Sequence, residues 1–399
     1  MSMLWFNFAS IYSILKYSKM NKNLCILPWI SLDRNADTSD PSFAPCCVYQ
    51  SQNKSHHNFE AYWKSNEIKN VRQQMRLGQR PAGCWKCYKD EDIGKKSMRQ
   101  SVNESRLEVH KDLLDKKADV LKPIQIKLLA GASCNLACRM CQSHVSSKVY
   151  NVWEAIGMPL KQPYKYDFES EDIIRENAES IRYIDLMGGE PFYNKRIHKL
   201  IQWLVDNDYA KNITIYVTTN AMLLNDGLID NLKKFKEVVV IVSLDAVGKK
   251  HEYIRPGADW NTIVDNIEKL QRNKLNVIIQ PVISAINILC LPELIDWCNE
   301  RKLHMTQMSL VHEPEALHPK NLPNSLKHLV DKRFTNFLQD EPTDSCLELV
   351  RKLDSYWNTK ITDVMPEWHL VYNQNKIEGQ FEQDYDLYRS TLEYINKIS

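Results

Sequence analysis

The sequence predicts an α/β fold built on a parallel sheet, because short β-branched apolar runs alternate with helical patterns from Ile124 onward. Six strand–helix alternations follow one another, and strands separated by helices pair in parallel as βαβ units. Such a sheet is either doubly wound or a partial barrel. In both arrangements ligands bind beyond the C-terminal ends of the strands, where the unusual residues of this chain cluster. The strand-like runs are IQIKLLAG, IRYIDLMGG, ITIYVTTNA, EVVVIVSLDAVG, VIIQPVISA and MTQMSLV.

The composition is that of an ordinary globular protein. The chain has 399 residues, of which 43% are hydrophobic and 26% are charged, and this length allows about two to three domains. The formal net charge of +2 indicates no attraction to nucleic acid or to an anionic membrane, and no apolar run approaches the roughly 18 residues of a transmembrane helix. Eleven cysteines, several in close spacings, suit a reducing compartment and metal thiolates better than disulfides. We therefore expect a cytoplasmic protein.

Four regions are predicted along the chain. Residues 1–20 form an extension that lacks the basic region and the cleavage site of a signal peptide. Residues 21–105 are rich in turn formers and cysteine, with LCILPWISL as one plausible strand or edge segment, and residues 106–315 hold the alternating strands and helices. Residues 316–399 carry several amphipathic helical patterns, which predict a helical C-terminal region.

Three cysteines stand close together in the segment GASCNLACRMCQS. Cys134, Cys138 and Cys141 follow a C-x3-C-x2-C spacing. Steps of four and three also describe one face of a helix, in which the thiols would be small buried apolar groups. However, Gly131 follows a predicted strand directly, where a loop is expected. Three thiolates on such a loop can hold three irons of a 4Fe–4S cube and leave the fourth iron without a protein ligand, and an open metal position is typical of a site built for chemistry.

On these residues the chain resembles the radical SAM superfamily, whose signature is a C-x3-C-x2-C motif after the first barrel strand. The resemblance implies a partial (βα)6 TIM-like barrel with a 4Fe–4S cluster on Cys134, Cys138 and Cys141. The open iron would chelate S-adenosylmethionine (SAM), and electron transfer into its sulfonium would release a 5′-deoxyadenosyl radical. Many members have an aromatic residue before the third cysteine, whereas this chain has Met140, whose thioether can pack against adenine.

A glycine-rich motif at the end of the second predicted barrel strand supplies the next predicted SAM contacts. Gly188 and Gly189 allow the backbone to approach a ligand closely, and Glu190 can pair with an ammonium group. The alternative is a glycine turn with a solvated glutamate. The resemblance implies that this motif binds the amino group of SAM.

Later strand ends carry further candidate SAM contacts. Asn220 precedes Ala221, where relatives usually have glycine, and is predicted to bond within its loop or near SAM. Ser243 and Asp245 are predicted to point into the site, with Asp245 as a ribose or substrate contact or, alternatively, a helix N-cap. Arg255 stands where relatives place an arginine that contacts the SAM carboxylate or the substrate; its alternative is a surface ion pair. We assign no catalytic acid or base.

A second set of cysteines precedes the barrel. Cys25, Cys46 or Cys47, Cys84 and Cys87 can complete a closed four-thiolate site, for which spacing alone suggests a zinc ribbon. The surrounding residues resemble twitch-type radical SAM proteins, a reduced relative of the SPASM extension. The resemblance implies a second, auxiliary 4Fe–4S cluster on Cys25, Cys46, Cys84 and Cys87, with Cys47 as the second choice for Cys46. Twitch elements more often follow the barrel, so this one must fold back toward the barrel mouth.

These motifs together predict an enzyme that cleaves SAM reductively and abstracts hydrogen from a substrate, with the electron supplied by a reductant such as flavodoxin or ferredoxin. Superfamily members with auxiliary clusters suggest a peptide or protein substrate; a sugar or nucleotide derivative is the alternative. A non-catalytic, zinc-binding interaction protein is the alternative from a different class. The sequence specifies neither the substrate nor whether SAM is consumed.

Overall fold

The computed structural model describes residues 21–34, 42–51, 58–116, 121–306, 308–338 and 344–372. The predicted extension over residues 1–20 and the last amphipathic pattern of the tail, beyond residue 372, lie outside the described residues. Contacts divide the chain into two compact units. The first unit is Met1–Leu129, Asp167–Leu186 and Trp203–Ile215, and the second is Ala130–Tyr166, Met187–Gln202 and Tyr216–Ser399. The domain boundaries expected from the sequence stay predictions.

The described strands and helices alternate along most of the chain. The strands are β1 Ser31–Arg34, β2 Phe43–Ala44, β3 Gln125–Leu129, β4 Tyr183–Met187, β5 Thr214–Thr219, β6 Glu237–Val242, β7 Asn276–Ile279, β8 Val282–Ile283, β9 His304–Met305 and β10 Ser309–Leu310. The α-helices are α1 Leu27–Ile30, α2 Phe59–Trp63, α3 Asn66–Arg76, α4 Trp85–Asp92, α5 Met98–His110, α6 Ser147–Ala155, α7 Phe168–Glu176, α8 Lys195–Asp206, α9 Asp226–Leu232, α10 Gly248–Ile254, α11 Trp260–Arg272, α12 Leu291–Glu300, α13 Asn324–Lys327, α14 Ser345–Trp357 and α15 His369–Tyr372.

In the first unit, the cysteine-rich segment adds a strand beside the first strand of the predicted barrel. β1 pairs in parallel with β3, with Ser31 opposite Gln125, and in antiparallel with β2. The backbone N–H of Arg182 donates to Ile124 O at 2.8 Å, and that of Thr214 donates to Arg182 O at 2.8 Å. The starts of β3, β4 and β5 are therefore neighbours in that order.

In the second unit, the later strands are also parallel. β6 pairs with β7 with Val240 opposite Val277, β7 pairs with β9, and β8 pairs with β10. The side chains of β6 are buried on both faces, as in sheets covered by helices on both sides. Parallel strands joined through helices confirm the predicted α/β class.

Side-chain caps fix where the helices on the loop side begin. Ser146 accepts a hydrogen bond from the N–H of Val149 at the start of α6, and Asp259 does the same for Thr262 at the start of α11. Such caps satisfy backbone donors that the first helical turn leaves without partners. These caps therefore fix the residue at which each preceding loop ends and its helix begins.

The described part of the C-terminal region packs into the core of the second unit. Cys346, Leu349, Val350 and Leu353 of α14 are buried, and they share one apolar core with Ala137 and Met140 of the loop after β3, among other residues. Among the described residues, no helix has both the length and the hydropathy that a membrane span requires.

Candidate active site

The three cysteines of the C-x3-C-x2-C motif lie on an irregular loop. Residues 131–146 form bends and turns between β3 and α6, so the alternative in which the thiols share a helix face is wrong. Gly131 has a φ of 80°, a backbone conformation that residues with a Cβ rarely adopt. A Cβ at Gly131 would also lie 3.1 Å from the backbone nitrogen of Tyr166. The sequence therefore requires glycine where the strand turns into the loop.

One cavity of about 200 Å³ collects most of the predicted site residues within the second unit. From the predicted set it is lined by Cys134, Cys138, Met140, Cys141, Gly188, Gly189, Glu190, Asn220, Ser243 and Arg255. The other lining residues, which the motifs did not indicate, are Leu136, Val145, Ser146, Thr218, Thr219 and Val282. Asp245 is not in the lining. Loops that follow four different strands thus meet in one place.

The three thiols are held in a desolvated, electrostatically coupled group. Burial, followed by the effect of the neighbouring Cys138, raises the pKa of Cys134 to about 12. Burial and then the two other cysteines raise the pKa of Cys141. Three thiols grouped in this way suit a cationic iron cluster, because binding exchanges their protons for metal. The residues present therefore fit the cluster that the motif implies.

Metal ligands in this loop need not converge on one point. Among the described residues, no group of three or more His, Cys, Asp or Glu side chains is placed to hold a single metal ion. A 4Fe–4S cluster binds each thiolate through a different iron. The three thiols of a cluster site can therefore lie farther apart than the ligands of a single metal ion.

Arg255 lies beside Cys138 and is fixed by Asp245. Its Nη1 donates to Cys138 Sγ at 3.7 Å, and its Nε donates to Asp245 Oδ2 at 2.6 Å. Asp245 also accepts a hydrogen bond from the N–H of Val282 at 3.0 Å. The Arg255 and Asp245 side chains are 11% and 0% exposed, so this is a buried ion pair and not the surface pair considered as the alternative.

Asp245 therefore supports the site from behind the cavity wall. It caps no helix, because α10 begins after Val247 with no side-chain cap. Its carboxylate and the nearby Cys138 thiol raise the pKa of Arg255 against the opposing effect of burial. A permanent positive charge consequently faces the cysteine loop.

Glu190 is buried and joins two strand-end loops. Its Oε1 accepts hydrogen bonds from Thr219 Oγ1 at 2.8 Å and from the N–H of Phe192 at 3.1 Å, while Oε2 accepts from the N–H of Asn220 at 2.7 Å. Burial raises the pKa of the Glu190 carboxyl to about 7, although these hydrogen bonds oppose the rise. The side chain is 1% exposed, which contradicts the alternative of a solvated glutamate.

The two glycines before Glu190 are required by close backbone contacts. A Cβ on Gly189 would lie 2.3 Å from the carbonyl oxygen of Ser133. Gly188 has a φ of 145°, and a Cβ there would lie 2.9 Å from Gly131 O. The motif therefore packs directly against the cysteine loop.

Asn220 ties the loop after β5 to the cysteine loop. Its Nδ2 donates to Asn135 Oδ1 at 2.8 Å, and its Oδ1 accepts from the N–H of Met222 at 3.0 Å. Ala221 has a φ of 59°, a conformation that glycine adopts more readily than alanine. Asn266 Nδ2 donates to the carbonyl oxygen of Ala221 at 2.8 Å. Asn135 was not singled out from the sequence.

Residues 129–301 match the model of the Radical SAM superfamily. These residues form a radical SAM domain. The match confirms the predicted partial TIM-like fold, and the family that it describes uses SAM and a 4Fe–4S cluster.

Solved structures of radical SAM enzymes are similar to the chain at low identity. Native anSMEcpe with bound AdoMet aligns with a TM-score of 0.38 and 18% identity, over 48% of this chain and 52% of that chain. SuiB from Streptococcus suis bound to S-adenosylmethionine aligns with a TM-score of 0.38 and 16% identity, over 82% of this chain and 67% of that chain. The chain thus spans about half the length of the first of these structures. No curated protein matches the chain.

The cysteines that precede the radical SAM domain form a separate group within the first unit. Cys46 interacts electrostatically with Cys25, with its neighbour Cys47 and with Cys84, and Cys84 interacts with Cys25 and Cys87. Burial raises the pKa of Cys25 to about 12, and Cys87 adds to the rise. Pairwise electrostatic interactions therefore link the four cysteines that the resemblance selected.

Cys47 has different surroundings from Cys46. It is exposed, and its Sγ lies 3.9 Å from Met98 Sδ. Burial raises the pKa of Cys47, followed by the effect of the Asp33 carboxylate, while Lys127 lowers it. Of the two adjacent cysteines, Cys46 is thus the one grouped with the other three.

Proposed function

We propose that the protein binds a 4Fe–4S cluster on Cys134, Cys138 and Cys141, cleaves SAM reductively there and abstracts hydrogen from a substrate. The observation that carries this proposal is the single cavity that brings these three cysteines together with Gly188, Gly189 and Glu190. When bound, the cluster supplies the electron that splits SAM into methionine and the 5′-deoxyadenosyl radical. The protein contributes binding, orientation and exclusion of water.

Glu190 and Arg255 would hold the two charged ends of the amino acid part of SAM. The Glu190 carboxyl, with a pKa of about 7, is partly ionised near neutral pH and can pair with the ammonium group. Arginine has five N–H donors, and within the described residues its contacts with Asp245 and Cys138 use two of them. The remaining donors suit the carboxylate of SAM.

The adenine and the sulfonium would meet the less polar part of the cavity. Met140, which is 8% exposed, stands where many relatives have an aromatic residue. Leu136, Val145 and Val282 also line the cavity. Apolar walls exclude water, which protects a carbon radical from side reactions.

We further propose that Cys25, Cys46, Cys84 and Cys87 bind a second, auxiliary 4Fe–4S cluster. Their mutual electrostatic interactions and the resemblance of residues 21–105 to twitch elements support this proposal. Zinc is the competing metal, because four thiolates also suit a structural zinc site.

The substrate that we propose is a peptide or protein, with a sugar or nucleotide derivative as the alternative. This choice rests on the resemblance of the cysteine-rich element to auxiliary-cluster enzymes. We propose a reductant such as flavodoxin or ferredoxin and a cytoplasmic location, since the sequence has the cysteine usage of a reducing compartment.

The test is anaerobic reconstitution of the full chain with iron and sulfide, followed by SAM and dithionite. Wild type should bind about eight irons if both sites carry 4Fe–4S clusters, and should release 5′-deoxyadenosine. Changing Cys134, Cys138 and Cys141 to alanine should remove about half of the iron and all SAM cleavage. In the matched variant, Cys25 and Cys84 are changed to alanine and the cysteines of the C-x3-C-x2-C motif are unchanged. This variant should also lose about half of the iron. Zinc without iron, together with no SAM cleavage, would contradict the proposal.

A further inference from the structure

The C-terminal region, which lies beyond the radical SAM match, contacts the cysteine loop through a buried arginine. Arg139 stands between Cys138 and Met140, and its side chain is 2% exposed. Its Nη1 lies 3.1 Å from Asp354 Oδ1 in α14, with both side chains 1% exposed. Its Nη2 donates to Thr359 Oγ1 at 2.6 Å. A residue of the metal-binding motif is thus bound to a segment more than 200 positions away.

The same guanidinium is fixed on its other side by α10. Nε donates to the carbonyl oxygen of Tyr253 at 2.7 Å, and the guanidinium carbon lies 3.8 Å from the centre of the Tyr253 ring. The backbone N–H of Arg139 donates to Ile254 O at 2.9 Å. Side chain and backbone of this one residue are both held by neighbouring elements.

Asp354 is the acceptor on which these contacts converge. Its Oδ1 accepts hydrogen bonds from Tyr253 Oη at 2.8 Å and from Thr359 Oγ1 at 3.2 Å. Its Oδ2 accepts from the N–H of Ile361 at 2.9 Å. The carboxylate is therefore fully supplied with donors, as a buried charge must be.

A buried ion pair of this kind adds little to stability, and in some proteins it instead selects one arrangement of the fold. The cost of desolvating two charges offsets most of their attraction, and apolar replacements of similar volume are often as stable. Such pairs are best attested as devices that select one arrangement of a fold. The element that this pair holds is the loop that carries Cys138 and Cys141, because Arg139 lies between Cys138 and Met140 and contacts Asp354.

We propose that Asp354 is a positioning residue for the cluster loop, and that residues 344–372 act as a clamp that holds the loop in its metal-binding arrangement. This inference rests on the proposed function, because it assigns the clamp a role in holding the cluster of Cys134, Cys138 and Cys141. The radical SAM match ends at residue 301, so the clamp is supplied by a part of the chain outside the matched domain. Loss of the carboxylate leaves the Arg139 charge buried without its partner and releases the loop.

The test compares Asp354→Asn with Glu348→Gln, an identical chemical change at an exposed position of the same helix. After anaerobic reconstitution, Asp354→Asn should lose up to about half of the bound iron, whereas Glu348→Gln should match wild type. Electron paramagnetic resonance of the reduced protein gives a second readout, because only a cluster with an open iron changes its spectrum when SAM binds. The SAM-responsive fraction should fall in Asp354→Asn while the rest of the spectrum stays.

A double variant separates positioning from folding. Arg139→Met combined with Asp354→Leu removes both charges and should restore the thermal stability of the metal-free chain, but not the SAM-responsive cluster. Restoration of both would show that the pair serves stability alone and would overturn the inference, as would an Asp354→Asn chain with wild-type iron and SAM response. If the proposed function itself is wrong, the wild type and the Cys134, Cys138 and Cys141 alanine variant will bind equal iron.

Discussion

Arg255 donates a hydrogen bond to the sulfur of Cys138 across 3.7 Å, and Asp245 holds the guanidinium in this position. Hydrogen bonds and positive charge at a cluster thiolate favour the reduced cluster, which carries one more negative charge. Arg255→Gln should therefore lower the reduction potential of the cluster that we propose on this loop. A redox titration followed by electron paramagnetic resonance measures the shift.

A double variant that also removes the charge of Asp245 tests whether this effect is electrostatic. Removing Arg255 alone leaves the buried carboxylate without its partner, so the double variant Arg255→Gln with Asp245→Asn should return the potential part of the way to the wild-type value. Arg301→Gln, which removes an arginine whose side chain is 36% exposed, is the matched control. An unchanged or higher potential in Arg255→Gln would contradict the electrostatic role.

Glu190 should make the stability of the metal-free chain depend on pH. Burial raises the pKa of its carboxyl from 4.5 to about 7, so the folded chain holds this proton more tightly than the unfolded chain does. The contribution to the free energy of unfolding is therefore complete below pH 4.5 and is lost as pH rises through about 7.

Glu190→Gln removes this titration. The free energy of unfolding of the metal-free variant should therefore fall less between pH 4.5 and about 7 than that of the metal-free wild type. Urea unfolding followed by fluorescence measures this difference. Other buried carboxyls, such as Asp33 with a pKa raised to about 6, titrate in both proteins and cancel in the difference. Parallel pH profiles for the two proteins would rule out a raised pKa at Glu190.

The residues of the candidate site could be predicted because their signal is local. Cys134, Cys138 and Cys141 stand in one motif, and Glu190 follows two glycines at a strand end. Their supporting partners carry no such signal: Asn135 bonds Asn220 from 85 positions away, and Arg139 bonds Thr359 from 220 positions away. Only folding brings these pairs together, so a single sequence does not show them.

Two expectations show where local patterns are insufficient. Asp245 was expected to point into the site, but its charge is used to hold Arg255, a pairing that no spacing rule indicates. The segment LCILPWISL reads as a strand or edge segment, yet Leu27–Ile30 is a short helix and only the residues from Ser31 onward form a strand. Pro28 lies in the first turn of that helix, where its missing N–H costs nothing.

Gly189→Ala should damage the site through a single methyl group. The new Cβ would lie 2.3 Å from Ser133 O, and overpacking of this kind costs about 1–3 kcal/mol. Gly227→Ala is the matched control, because its Cβ would meet nothing closer than Asn225 Oδ1 at 3.6 Å; its stability should stay within about 1 kcal/mol of wild type. Thermal unfolding and iron content after reconstitution measure both variants, and equal behaviour would show that the motif tolerates a side chain.

Cys46 and Cys47 offer a matched pair of variants that tests the proposed second metal site. Cys46 interacts with Cys25 and Cys84, whereas Cys47 is exposed and lies near Asp33 and Lys127. Cys46→Ser should therefore remove about half of the iron bound by the full chain, and Cys47→Ser should leave iron content and absorbance unchanged. The two variants alter neighbouring residues by the same sulfur-to-oxygen change, so a general effect on folding would appear in both. Iron loss confined to Cys47→Ser would assign Cys47 as the ligand, and no loss in either variant would mean that this cysteine pair does not bind a cluster.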